Sequence, residues 1–349
     1  MTEKKFELHP MAYYQSILRR TLPREIFRRQ PHRIVWLFVH VFVILASVIA
    51  ILFLQTPMWL KLILAVLIGN SLGTLGFLGH EILHGSVVKG RRWMLLFGGI
   101  CLLHWGLPPQ VWINWHNRTH HHHTNQWFQD PDCFGPIHLY KKSRWVRFME
   151  KLTPGSGTKR SYLFLFYWFT LHTAYNIFKH PKAFHKQRNR KYGRAYFIGV
   201  HLLWLLASIF LSNSFYDPLF LFVIPILISN FIMMSYVATN HFISPTSQSV
   251  SDPLVTTLTV RSPKMIEYFH LYNNYHVEHH LFPELNPSQA RLIAKELRTR
   301  WPERYQEMSH VQAIKKVYQT PRLYEDEHTL KNPRTGEKAE TLLSHYFNL

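Results

Sequence analysis

The stretch IVWLFVHVFVILASVIAILFL, residues 34–54, decides the fold class. Only His40 and Ser47 interrupt its apolar side chains. A helix rising 1.5 Å per residue over this stretch can cross a hydrocarbon core about 30 Å thick. Pro57 then marks a tight connection, and residues 59–78 form a second apolar run with Trp59 and Lys61 at its outer interface. Residues 195–211 and 219–238 repeat the arrangement around the short turn 212–218. Stretches 93–107 and 162–178 are apolar but shorter or richer in polar and aromatic residues, and read as interfacial or re-entrant helices. The expected architecture is an all-α integral membrane protein with four transmembrane helices in two hairpins.

The chain has 349 residues and a formal charge of +20, which suits either nucleic acid or an anionic membrane surface. The position of the charges decides. Lys4, Lys5, Arg19, Arg20, Arg24, Arg28, Arg29 and Arg33 precede the first span. Lys179, Lys182, Lys186, Arg188, Arg190, Lys191 and Arg194 precede the third, while the turns 55–58 and 212–218 carry neither Lys nor Arg. By the positive-inside rule both termini and the central region face the cytoplasm, with a bacterial plasma membrane the expected setting. No stacking motif or recognition helix accompanies the basic residues, which argues against nucleic acid. The opening MTEKKFELHP is polar and lacks the apolar core of a cleavable signal. Cys101 and Cys133 leave no room for a disulfide framework.

The chain divides on these grounds into a basic cytosolic segment 1–33, a membrane and catalytic domain 34–283, and a cytosolic helical segment with its tail, 284–349. Asn286-Pro287-Ser288 ahead of QARLIAKELRTRW (289–301) reads as a capped helix start. The charged tail beyond Tyr324 is expected to be loosely ordered.

Twenty-four histidines are unevenly spread. His80 and His84 stand in GHEILHG (79–85), at the i, i+4 spacing that puts both rings on one helix face. Alone, that pair is weak evidence in so His-rich a chain. The pattern HxxHH is much rarer by chance, and the chain has it in His276, His279 and His280, with a similar cluster in His116, His120 and His121. All three clusters sit just beyond apolar or aromatic stretches and on the side that carries the basic residues. Buried or membrane-proximal histidines in such numbers point to metal. His40, His104, His172 and His201 are isolated and read as packing or interfacial side chains. His122 and His123 extend the second cluster, but adjacent residues on a helix point about 100° apart, so they read as supporting the ligands or facing solvent. Structural zinc usually draws on Cys, which is not placed for it here. Imidazole serves Zn, Cu, Fe and Ni alike, so the ligand type leaves the metal open. Glu81, Asp130, Asp132 and Glu278 are candidates to accept the second ring N–H of ligating histidines.

GHEILHG, WHNRTHHHHTN (115–125) with the following DPD (130–132), and YHVEHHLFP (275–283) resemble the three histidine boxes of membrane fatty acid desaturases. The resemblance spans residues 80–283. It implies a non-haem di-iron site on a cytosolic helical cap, with His80, His84, His116, His120, His121, His276, His279 and His280 as ligands. His241, in ATNHF (238–242), matches a further family ligand, and Asn240 a weaker supporting position. Front-end members often carry Gln where His276 stands and a fused cytochrome b5 domain. Here no HPGG haem motif occurs, so the resemblance implies a separate donor, a ferredoxin or a cytochrome b5.

The implied reaction uses O2 and two electrons to place a C=C bond in a lipid acyl chain. A hydroxylase or ketolase of the same superfamily, acting on a carotenoid, sterol or alkane, is the nearest rival because identical ligands serve it. A His-rich metal transporter or sensor is the rival from another class; its ionisable groups would sit near mid-bilayer, unlike these clusters.

Overall fold

In the computed structural model residues 7–179 and 187–344 are described, 187–189 by backbone alone. The basic residues Lys4, Lys5, Lys182 and Lys186, the side chain of Arg188 and the opening MTEKKF lie outside the described residues. The chain is mostly helical. It divides into two units, each assembled from separate pieces of sequence.

One unit comprises residues 29–116 and 165–234. Among the described residues four helices are long and apolar enough to cross a membrane: Pro31–Phe53, Met58–His84, Arg190–Phe210 and Leu219–His241. They coincide with the runs read from sequence, but the second and fourth extend further, to His84 and His241. Gly85, in the left-handed region at φ 83°, terminates Met58–His84, where a side chain would be disfavoured. The first helix exposes Phe38, Phe42, Leu45 and Ile49, an apolar face suited to lipid and not to water. Gly69 and Gly73 let the second helix approach the helix containing Ile228 and Ile232. A Cβ added at Gly69 would lie 2.5 Å from Ile228 Cβ. Lys61 is paired inside the unit with the fully buried Asp217 of the 212–218 turn, Nζ to Oδ1 2.6 Å. The stretch 93–107, read as interfacial or re-entrant, lies in helix Arg91–Trp105, which is followed by Pro109–His120 at a bend of 94°. Gly106 at φ 57° and the consecutive Pro108 and Pro109 make that corner.

The other unit comprises residues 1–28, 117–164 and 235–349. Its core gathers Tyr14 and Leu18 from helix Met11–Thr21, Val277 and Leu281 from helix His276–Leu281, and Ile293 and Leu297 from helix Ala290–Arg300. The buried Asp252 ties the unit's distant pieces together, accepting from the Tyr14 hydroxyl, the Arg304 guanidinium and the backbone N–H of His9. Asn286 Oδ1 accepts from Ser288 N at 2.9 Å, so the helix start read from sequence is capped.

Sheet is a minor component that the sequence did not announce. Thr259–Arg261 pairs in parallel with Glu307–Ser309. Leu323–Tyr324, Thr329–Lys331 and Lys338–Glu340 form an antiparallel sheet, so the tail beyond Tyr324 is ordered through residue 344, contrary to expectation. Its turns are held by side chains: Asp326 accepts from the N–H groups of His328 and Thr329, and Asn332 from those of Arg334 and Thr335. Strands of two or three residues are too short for alternation to show.

Candidate metal centre

Helix His276–Leu281 projects His276 and His280, one turn apart, to the same side. There they meet His120 and His241. One ring nitrogen from each of these four buried histidines lies within 4.8 Å of the others. His241 Nε2 is 2.6 Å from His276 Nε2, which is in turn 3.1 Å from His280 Nε2. His279, on another face of the same helix, meets His121 with 3.1 Å between their Nε2 atoms.

The groups behind the rings set which nitrogen faces the site. Asp130 Oδ1 accepts from His120 Nδ1 at 2.9 Å, which in the neutral ring leaves the lone pair on Nε2. Against burial, the same carboxylate holds the pKa of this ring up to about 9. Asp132 stands farther from the same nitrogen, at 3.4 Å. Thr124 donates its only hydroxyl proton to the His120 carbonyl at 2.9 Å. It can therefore only accept from His280 Nδ1, 3.2 Å away, and His280 too presents the lone pair of Nε2. Burial, reinforced by the neighbouring rings of His121, His276, His120 and His241, holds His280 well below the ordinary imidazole range, hence neutral.

Neutral rings aimed at one another through lone pairs repel unless a cation lies between them. Two nitrogens bound at right angles to one ion at about 2.1 Å would be about 3.0 Å apart, close to the separations seen here. The donor set thus fits a first-row transition metal.

In the other unit, His80 and His84 extend from the last turns of helix Met58–His84. His116 joins them from the π-helical segment Ile113–His120, a widened helix of the kind that often re-aims side chains at functional sites. His80 Nε2 is 3.0 Å from His116 Nε2, and the His84 ring centroid lies 4.7 Å from that of His80. Trp112 stacks on His116, centroids 4.5 Å apart, and fixes the ring plane.

Other candidates have different work. Glu81, between His80 and His84, does not support a histidine: both of its oxygens accept from Arg33, at 2.6 and 2.7 Å. Glu278 accepts from the Thr259 and Tyr305 hydroxyls at 2.6 and 2.5 Å. Burial pushes its carboxyl up to about 7 against the pull of those two bonds. His122 is exposed, and His123 Nδ1 contacts Gln126 Oε1 at 2.8 Å. His40 packs beside Trp36, His104 beside Trp105 and His172 beside Trp115, while His201 Nδ1 donates to the Phe197 carbonyl at 2.8 Å. Asn240 is fully buried, with its backbone carbonyl accepting from Leu258 N. Sequence reasoning missed Thr124; its only signal was its place four residues after His120.

Four apolar helices of membrane-spanning length, together with converging buried imidazoles, define a multispan helical protein with clusters fit to hold metal. The chain belongs to the fatty acid desaturase family: the model for that family, described as Fatty acid desaturase, matches residues 57–312. It is 26% identical over 265 residues to a Delta(8)-fatty-acid desaturase of Euglena gracilis, covering 67% of this chain and 59% of that protein. It is 23% identical over 235 residues to Fatty acid desaturase 2-like protein FADS2B of Mus musculus, covering 65% and 48%. Over 242 residues it is 24% identical to Delta(5) fatty acid desaturase fat-4 of Caenorhabditis elegans, covering 63% and 53%. The chain thus spans about half to three-fifths of the length of these curated relatives.

Proposed function

We propose that this chain is an oxidoreductase that introduces a C=C bond into the acyl chain of a fatty acid or lipid, through two iron ions held by His80, His84, His116, His120, His121, His241, His276, His279 and His280. The observation that carries the reading is the meeting of His120, His241, His276 and His280, four buried imidazoles on three separate stretches of chain. Membership of the family supplies the reaction class.

Bound iron would supply the reduction of O2 with two donated electrons and the removal of two hydrogens from adjacent carbons, a step beyond side-chain chemistry. The protein's own part is preorganisation. Asp130 and Thr124 keep the Nε2 atoms of His120 and His280 aimed inward, so little rearrangement of the rings is needed on loading. Burial of all four rings keeps bulk water from the centre. The electrons come from a separate ferredoxin or cytochrome b5. Residues 34–283 form the membrane and catalytic domain, flanked by cytosolic segments 1–33 and 284–349, in a bacterial plasma membrane.

The test is to express the full chain in a host lacking its own desaturation, then measure bound metal and analyse lipids by mass spectrometry. Iron in the purified protein and acyl chains lighter by 2 Da are expected. A gain of 16 Da with unchanged saturation would instead establish a hydroxylase.

A further inference from the structure

Asn125 lies at the end of the second histidine cluster, five residues beyond His120, and is buried with φ at 56°. Its side-chain amide points at three backbone carbonyls. Nδ2 is 3.3 Å from the carbonyl oxygen of His241, 3.3 Å from that of Pro245 and 3.1 Å from that of Thr256. The carbonyl of His241 ends helix Ile224–His241, where it also accepts from the backbone N–H of Ser244 at 3.1 Å. The Thr256 carbonyl also lies next to the His241 imidazole. Asn125 therefore grips both the backbone that carries this ring and the group beside the ring.

The other end of the residue is held by the carboxylate that orients His120. Asp130 accepts from His120 Nδ1 with Oδ1 at 2.9 Å and from the Asn125 backbone N–H with Oδ2 at 2.8 Å. One buried acid thus fixes one imidazole directly and anchors the amide that fixes another. The left-handed backbone conformation favours Asn, Asp or Gly, and of these only Asn brings two N–H donors to a cluster of carbonyls.

We propose that Asn125 is a positioning residue for the metal centre, setting the place of His241 against His120. The proposal rests on the metal reading above and concerns one side chain within it. Removing a group that orients a ligand typically lowers metal affinity 10- to 100-fold.

The test is titration of the metal-stripped full chain in detergent with Co(II), following ligand-field absorption and competition with a chelator. Asn125→Gly keeps the backbone conformation without the amide; Asn125→Asp keeps the shape but turns an oxygen toward the carbonyls. Asn332→Ala is the comparison, because Asn332 is also buried and donates to a backbone carbonyl, that of Gly155 at 3.0 Å, away from any histidine cluster. Expected is a wild-type chain with two Co(II) sites, at least tenfold weaker binding at one of them with an altered spectrum in both Asn125 variants, and unchanged binding in Asn332→Ala. A wild-type chain that binds no metal removes the metal reading itself. A wild-type chain with two sites and Asn125 variants of the same affinities and spectra overturns this proposal alone. Failure of both Asn125 variants to fold overturns it as well, since the amide would then hold the fold and not the ligand.

Discussion

Arg33 and Glu81 face each other through two bonds, Nε to Oε2 at 2.7 Å and Nη2 to Oε1 at 2.6 Å, with both side chains buried. The bidentate geometry is that of a guanidinium matched to a carboxylate. It explains how an acid can sit between His80 and His84 without serving either, and why an arginine sits at the very start of the first span. Two charges removed from water are tolerable only while each satisfies the other.

Arg33→Met therefore leaves an uncompensated buried carboxylate and should destabilise the chain by about 3–5 kcal/mol. Adding Glu81→Gln to that variant should restore much of the loss, because the paired charges disappear together. Thermal or denaturant unfolding in detergent of the two single variants and the double variant measures the coupling. Additive losses would show that the pair is not a unit.

A second expectation concerns acid. His310 Nε2 donates to the Ser235 carbonyl at 2.9 Å, its Nδ1 lies 3.3 Å from the Ser262 hydroxyl, and its ring packs on Tyr236. Burial lowers its pKa below the ordinary 6.5. The unfolded chain thus takes up this proton more readily than the folded one. Its contribution to stability is complete above about 6.5 and is lost as pH falls below that value. Unfolding midpoints of wild type and His310→Gln, compared from pH 7.5 to 5, should show a shallower acid decline in the variant. Parallel curves would remove His310 from the account.

The spans were legible because a bilayer demands long uninterrupted apolar helices, and residues 34–54 satisfy no other solution. The family was legible because imidazoles at HxxHH spacing are improbable without a use for them. Thr124 and Asn125 were not, although both stand in the quoted motif. A hydroxyl or amide acquires its role from carbonyls and rings far away in sequence, here His280 and Thr256. Glu81 misled for the same reason: its neighbours in sequence are histidines, but its partner, Arg33, lies 48 positions away. The short strands after Tyr324 were hidden because their turns depend on Asp326 and Asn332, which read equally well as solvated loop residues.

The tail sheet leads to a packing prediction. Gly155 has φ at 71°, and an added Cβ would run into the Thr320 carbonyl oxygen. Backbone cannot yield as a flexible side chain can, and the left-handed conformation itself disfavours alanine. Gly155→Ala should lower stability by at least about 2 kcal/mol. Gly157, with a similar φ of 71° but no atom within 4 Å of an added Cβ, separates the two effects. Gly157→Ala should show only the conformational part, about 1–2 kcal/mol, in the same unfolding measurement. Equal losses at the two positions would mean that the Thr320 contact contributes nothing.

The last prediction distinguishes rings that meet at a site from rings that merely accumulate nearby. His280 is buried at the meeting point of four imidazoles, and His279 faces His121, whereas the neighbouring His122 is exposed. His120→Ala, His279→Ala and His280→Ala should each abolish turnover and reduce bound iron while the protein still inserts in the membrane. His122→Ala, His40→Ala and His201→Ala should retain iron and near-normal turnover, since the first points into solvent and the others pack against Trp36 and Phe197. Iron content per chain and product formation, measured on the same preparations, decide the matter residue by residue. A variant at 120, 279 or 280 with full iron and full turnover leaves the ligand set. An iron-free variant at 122 would show that surface imidazoles take part in loading.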